Sequence, residues 1–134
     1  MRRLVIVLSC CVALPLAAQG NSRWREIGKT ASGNTVYIDP TTVRRADGIV
    51  TATVRSTYAT PSQTPRGPIT ASRAVAMFDC AAKTVAVKET IIYHDERRGT
   101  IYEKRTPANP GFGPAFRSNF SGIAMDYLCA APPR

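Results

Sequence analysis

Ile49-Val50-Thr51-Ala52-Thr53-Val54-Arg55-Ser56-Thr57-Tyr58-Ala59-Thr60 is the stretch on which the fold turns. In an extended chain Val50, Ala52, Val54, Ser56 and Tyr58 fall on one side, and Thr51, Thr53, Arg55 and Thr57 on the other. A period of two belongs to a strand with one buried face and cannot be met by a helix. Asp47-Gly48 before it is a turn signal. Thr60 to Pro68 after it carries Pro61, Pro65, Gly67 and Pro68 and reads as a loop, since proline offers no ladder donor.

The same reading extends in both directions. Upstream, Trp24 to Gly28 and Thr35 to Asp39 are short strands, joined into a hairpin through Gly33-Asn34. Asp39-Pro40-Thr41-Thr42 predicts the end of the second strand and a single helical turn, with Asp39 as its cap and Pro40 at its first position. Downstream, Arg73 to Cys80 alternates, with Ala74, Ala76, Phe78 and Cys80 facing one way. Ala81-Ala82-Lys83 is a turn, and the β-branched run Thr84 to Tyr93 pairs back onto the strand before it. Asp95 to Gly99 is a polar turn, Thr100 to Lys104 returns, and Thr106 to Pro114 is an irregular crossover. The period then changes. Phe120, Ile123, Ala124, Tyr127 and Leu128 form one stripe of an amphipathic helix, capped by Ser118 or Asn119, with Gly122, Met125 and Asp126 away from it. Strands first and a helix last predict an α+β fold: an antiparallel sheet of about six strands packed by one C-terminal α-helix.

Arg2-Arg3 followed by the apolar run Leu4 to Leu14, Pro15 and the small residues near Ala18 has the layout of an export signal. Its apolar run is about half the ~20 residues a membrane-spanning helix needs, so no transmembrane anchor is expected in the mature chain. Residues 1–18 are therefore assigned to the signal peptide, with cleavage after residue 20 as the alternative, and 19–134 to a single domain. Cys10 and Cys11 lie inside the apolar run; acylation of one of them is the competing fate. The expected location is the periplasm, the outer-membrane surface or the medium.

Removing the signal leaves Cys80 and Cys129 as the only cysteines. Exported cysteines oxidise where geometry allows, so the pair predicts one disulfide. It joins the end of a strand to the end of the helix, and closing a loop of this length stabilises by roughly 4 kcal/mol in the chain-entropy model. At 100° per residue Cys129 points nearly opposite to Phe120, so the helix is expected to stop near Leu128 and let the chain turn Cys129 inward. With His94 as the sole histidine, the two cysteines lack zinc spacing, and no metal or other cofactor is expected.

The formal charge of +9 suits acidic partners such as anionic glycans or envelope components. Nucleic acid is not an expected ligand of an exported protein. No residue set supports catalysis: His94 stands beside Asp95 and Glu96 at an expected turn without a nucleophile in a recognisable motif, and the two carboxylates are adjacent rather than facing across a cleft. The candidate ligand patch is Arg97 and Arg98 with Lys104 and Arg105, flanked by Tyr93 and Tyr102, all brought to one sheet edge by the last two strands. Arg44-Arg45 reads as a solvated pair.

In order, Trp24, Gly33 with Val36-Tyr37-Ile38-Asp39, Asp47-Gly48 before a long strand, Phe78-Asp79-Cys80, and a proline-rich crossover into a helix ending in Cys129 resemble the surface-adhesin protein E-like family of Gram-negative bacteria. The resemblance spans most of residues 24 to 129. It implies a sheet of about six antiparallel strands backed by a helix tethered through the disulfide. It also implies a non-enzymatic binding module, with host extracellular proteins or glycans as partners. A periplasmic structural, accessory or inhibitor protein without a host ligand is the alternative.

Overall fold

A computed structural model describes residues 23–130. The expected signal peptide and the thiols of Cys10 and Cys11 lie outside the described residues. The elements are β1 (Arg25–Lys29), β2 (Thr35–Ala46), β3 (Ile49–Ser62), β4 (Ile69–Asp79), β5 (Thr84–Asp95), β6 (Thr100–Arg105), β7 (Gly113–Pro114) and α1 (Phe120–Leu128). The strands form one antiparallel meander, β1-β2-β3-β4-β5-β6, with the short β7 paired to the start of β5. The α+β architecture is thus as expected, with a seventh strand drawn from the crossover.

Alternation places side chains as it should. Val36 and Ile38 of β2, Val50, Ala52 and Val54 of β3, and Ala76 and Phe78 of β4 share one face and join Ala124, Met125 and Leu128 of α1 in a single apolar core. Between β2 and β3, Asp47 and Gly48 both have positive φ, 53° and 76°. A two-residue hairpin of the primed kind needs that geometry, and Asp-Gly supplies it.

The helical turn expected at Asp39–Thr42 is absent. β2 continues through it as a wide bulge, since Asp39 pairs with Thr53 and the next paired residue is Arg44, opposite Thr51. Side chains repair the ladder there. The Thr42 hydroxyl accepts the Thr53 N–H at 2.9 Å and donates to the Asp39 carbonyl at 2.7 Å. The Asp39 carboxylate does cap, but it caps a turn within the strand, accepting from the N–H and hydroxyl of Thr41. Pro40 is tolerated because the ladder is interrupted at its position. β3 also runs further than expected, through Pro61 to Ser62.

The helix begins where expected, with Asn119 Oδ1 accepting the Ser121 N–H at 2.9 Å. Four residues of the expected stripe meet the core, Ala124 and Leu128 buried in it and Phe120 and Ile123 packed against it, while Tyr127 is 39% exposed. The buried face is wider than expected on the other flank, where Ser121, Gly122 and Met125 are buried too. Glycine at 122 lets the backbone of Phe116 and Arg117 pack where a Cβ would otherwise lie. The inward phase of Met125 also settles the direction of Cys129. One turn beyond Met125, it already faces the sheet, its N–H bonded to the Met125 carbonyl at 2.9 Å. The helix does stop at Leu128, yet no inward turn of the chain is required. Cys80 and Cys129 are joined, with Cα atoms 5.5 Å apart. Arg45 is not merely solvated: its guanidinium donates to the Leu128 carbonyl at 2.9 Å, placing a cation at the negative end of the helix.

Candidate functional site

The helix covers one face of the sheet. On the other face the register sets Arg55 of β3 directly opposite Arg73 of β4, beside Tyr37 of β2 and, across β5, Tyr93 next to Ala71. Two cations opposite one another in a ladder repel. Glu96, just past the end of β5, resolves the conflict: one carboxylate oxygen lies 2.7 Å from Arg55 Nε and the other 2.5 Å from Arg73 Nε, and its side chain is only 8% exposed.

The aromatic rings supply the rest of the neutralisation. The guanidinium carbons of Arg23, Arg55 and Arg73 lie 5.1, 5.7 and 5.2 Å from the Trp24 ring centroid. Arg55 also lies 5.0 Å from the Tyr37 ring and Arg73 5.5 Å from that of Tyr93. Cations at these distances are attracted by the electron-rich ring faces. Arg23 completes the group through the buried Asp39 carboxylate at 3.1 Å. Three guanidiniums therefore share two carboxylates, a surplus of one positive charge. Val75, Met77 and Ile91 are half-buried on the same face, and Ile101 is 50% exposed at its margin.

The expected patch is divided by this geometry. Tyr93 is buried in the cluster beside Arg73, and Arg97 borders the same shallow depression as Arg55 and Glu96. Lys104 shares the open face but pairs with Glu89 at 3.0 Å. Arg105 lies on the opposite side, paired with Glu103 at 2.8 Å, and Arg98 pairs with Asp95 at 3.6 Å. Tyr102 turns toward the β3–β4 loop, where the Arg66 guanidinium lies 4.0 Å from its ring centroid. Hydrogen bonding from Arg66, and then from Thr64, lowers its phenol pKa below the ordinary value. His94 is in β5 rather than a turn; its Nδ1 lies 2.6 Å from the Pro68 carbonyl and its ring stands edge-on to Tyr102. It braces the loop.

Sequence reasoning missed the roles of Arg55, Arg73 and Glu96. The signal was present in part, since Arg55 and Arg73 both occupy the outward phase of adjoining strands, but only the register shows that they oppose each other. Among the described residues no group of three or more His, Cys, Asp and Glu side chains is placed to hold a metal. No helix among them is long and apolar enough to cross a membrane.

The fold has solved counterparts. A structure of Haemophilus influenzae protein E in its second crystal form matches with a TM-score of 0.54 at 15% identity, covering 89% of this chain and 96% of that one. Protein E from non-typeable H. influenzae matches with a TM-score of 0.51 at 15% identity, covering 89% and 83%. A third H. influenzae protein E structure gives 0.51 at 14% identity, covering 81% and 85%. At such identities the likeness is one of fold. No curated protein sequence matches the chain. The sequence model of surface-adhesin protein E, however, matches residues 24–130, nearly the whole of the sheet, the helix and the disulfide, and by that match this chain belongs to the surface-adhesin protein E family.

Proposed function

We propose that this protein is an exported, non-enzymatic adhesin of the bacterial surface that binds host extracellular proteins through the open face of its sheet. The observation that carries the reading is the arginine–aromatic cluster of Trp24, Tyr37, Arg55, Arg73 and Tyr93, held on a face that no described element covers. Trp, Tyr and Arg are the residues that dominate binding energy at protein interfaces. Guanidiniums fixed against rings and tied by one carboxylate have little freedom left to lose on binding, which favours affinity. The surplus charge selects acidic surfaces, and Arg97 and Lys104 extend the field at the rim. The half-buried aliphatics beside the cluster supply apolar area for a protein partner.

Binding of the purified domain to immobilised extracellular-matrix proteins tests the reading. An Arg73→Ala variant is expected to bind about tenfold more weakly or worse, with its thermal midpoint near that of the parent. Lys29→Ala, remote from the cluster, serves as the control for loss of a positive charge. Equal binding by the Arg73→Ala variant and the parent, or no binding by the parent above a charge-matched protein, would overturn it.

A further inference from the structure

The helix seals only part of its own face. α1 lies against β1, β2 and β3 over the aliphatic rows. Beyond its N-terminus the same face continues as Ser56 and Tyr58 of β3, Ser72 of β4, and Thr90 and Ile92 of β5. Ser56 sits directly opposite Ser72, and Ser72 opposite Ile92. With Phe120 at the helix start they enclose a groove of about 300 Å³.

Its chemistry differs from that of the opposite face. No charged side chain lines the groove. Among the described residues, the hydroxyls of Ser56, Tyr58, Ser72 and Thr90 make no hydrogen bond. Ser56 is only 7% exposed, so a hydroxyl placed there sits mostly out of water without a partner. No fully buried side-chain polar atom in the described structure lacks a partner, so the Ser56 hydroxyl retains contact with the groove. Such a hydroxyl, free of protein partners and open to the groove, is available to a ligand that can replace the water bonding it. Each hydroxyl can donate one bond and accept two, which matches a partner that also both donates and accepts. Ile92, Phe120 and the Tyr58 ring supply apolar walls beside these hydroxyls.

We propose that this groove binds a neutral saccharide of one or two rings, whose hydroxyls meet Ser56, Ser72, Thr90 and Tyr58 and whose C–H faces meet Ile92 and Phe120. The lining carries no cation, and Arg105, opposite Thr90 at the β6 edge of the groove, is paired with Glu103, which separates the groove from a site for sulfated or carboxylated glycans. The volume lies at the lower end of the ~300–1,000 Å³ typical of small-molecule sites, which limits the ligand to a small sugar.

The proposal goes beyond the adhesin reading and uses the other side of the sheet. Saturation-transfer NMR with a panel of neutral hexoses, N-acetylhexosamines and their disaccharides tests it on the purified domain. At least one panel member is expected to bind the parent. In the variants Ser72→Ala and Thr90→Val, which keep the strand backbone and most of the side-chain volume, affinity is expected to fall about tenfold or more. Arg73→Ala, on the opposite face, is expected to leave sugar binding unchanged. No neutral sugar bound by the parent, or binding untouched in both groove variants, would overturn the proposal. Neither result bears on the Arg73→Ala test of protein binding.

Discussion

Ala52 and Ala76, on the helix side of β3 and β4, are 1% and 0% exposed, whereas Arg55 and Arg73, on the other side of the same two strands, keep 22% and 32% of their side chains exposed. One side is closed by methyl groups under a helix and a covalent tie. The other is filled by cations laid against rings. The difference separates two demands on one sheet. Apolar burial holds the fold together, while the arginine cluster sacrifices some of that burial to keep a charged, ordered surface available. A closed core resists change at any position; an ordered surface should tolerate it at a lower cost in stability and a higher cost in binding.

The largest expected effect tests the closed side. Phe78→Ala removes the largest fully buried side chain and should cost about 3–5 kcal/mol in denaturant unfolding. Replacing both Cys80 and Cys129 by alanine should cost roughly 2–4 kcal/mol, read as a fall in the urea midpoint. On the open side, Glu96→Gln should cost only about 1–2 kcal/mol, because Arg55 and Arg73 regain water when their shared carboxylate loses its charge. A loss from Glu96→Gln as large as that from Phe78→Ala would mean that the open face is a second core, and the comparison would fail.

The smallest effect concerns Tyr102 and appears only at alkaline pH. Its folded pKa is lowered by hydrogen bonding from Arg66 and Thr64. A depressed folded pKa stabilises above the unfolded pKa and ceases to do so as pH falls through the folded one, so nothing is contributed at neutral pH. Arg66→Gln should therefore raise the Tyr102 ionisation midpoint in ultraviolet absorbance titration and leave the neutral thermal midpoint unchanged. A drop in neutral stability would show that exposed arginine–ring contacts carry structural weight, against the distinction between the two faces.

The meander was legible because alternation in β3 and β4 is nearly unbroken and its turns carry strong local chemistry, as at Asp47-Gly48. Asp39-Pro40 was misleading for a physical reason. An aspartate that caps two residues ahead gives the same local signal at a helix start and at a strand bulge, and the difference was made by Thr53 on the neighbouring strand. The helix stripe was legible in Phe120, Ile123, Ala124 and Leu128, but nine residues hold too few apolar positions to show that Gly122 and Met125 are buried and Tyr127 is not. The Phe116–Arg117 backbone lies so close to Gly122 that no Cβ fits there, and the covalent bond at Cys129 ties the other end of the helix to the sheet. The arginine cluster depends on register and on a turn carboxylate reaching across two strands, neither of which a linear reading contains. The shared use of Glu96 is a property of the assembled sheet.

In the order β1-β2-β3-β4-β5-β6 each strand lies beside the one made just before it, so every pairing along this meander closes a short loop, and only the two-residue β7 returns from further off to β5. Such local closures are the quick ones, and contacts between distant parts of a chain come later. The sheet can thus assemble while its apolar side is still bare, and the helix, which follows every strand described, docks as a lid on a finished surface. Cys80 has no other cysteine among the described residues to bond with, so oxidation has one correct outcome and it comes at the end of folding. The covalent bond is a completion mark: an oxidised molecule is one whose helix has docked, and a free thiol count on a folding sample reports how many molecules have yet to close.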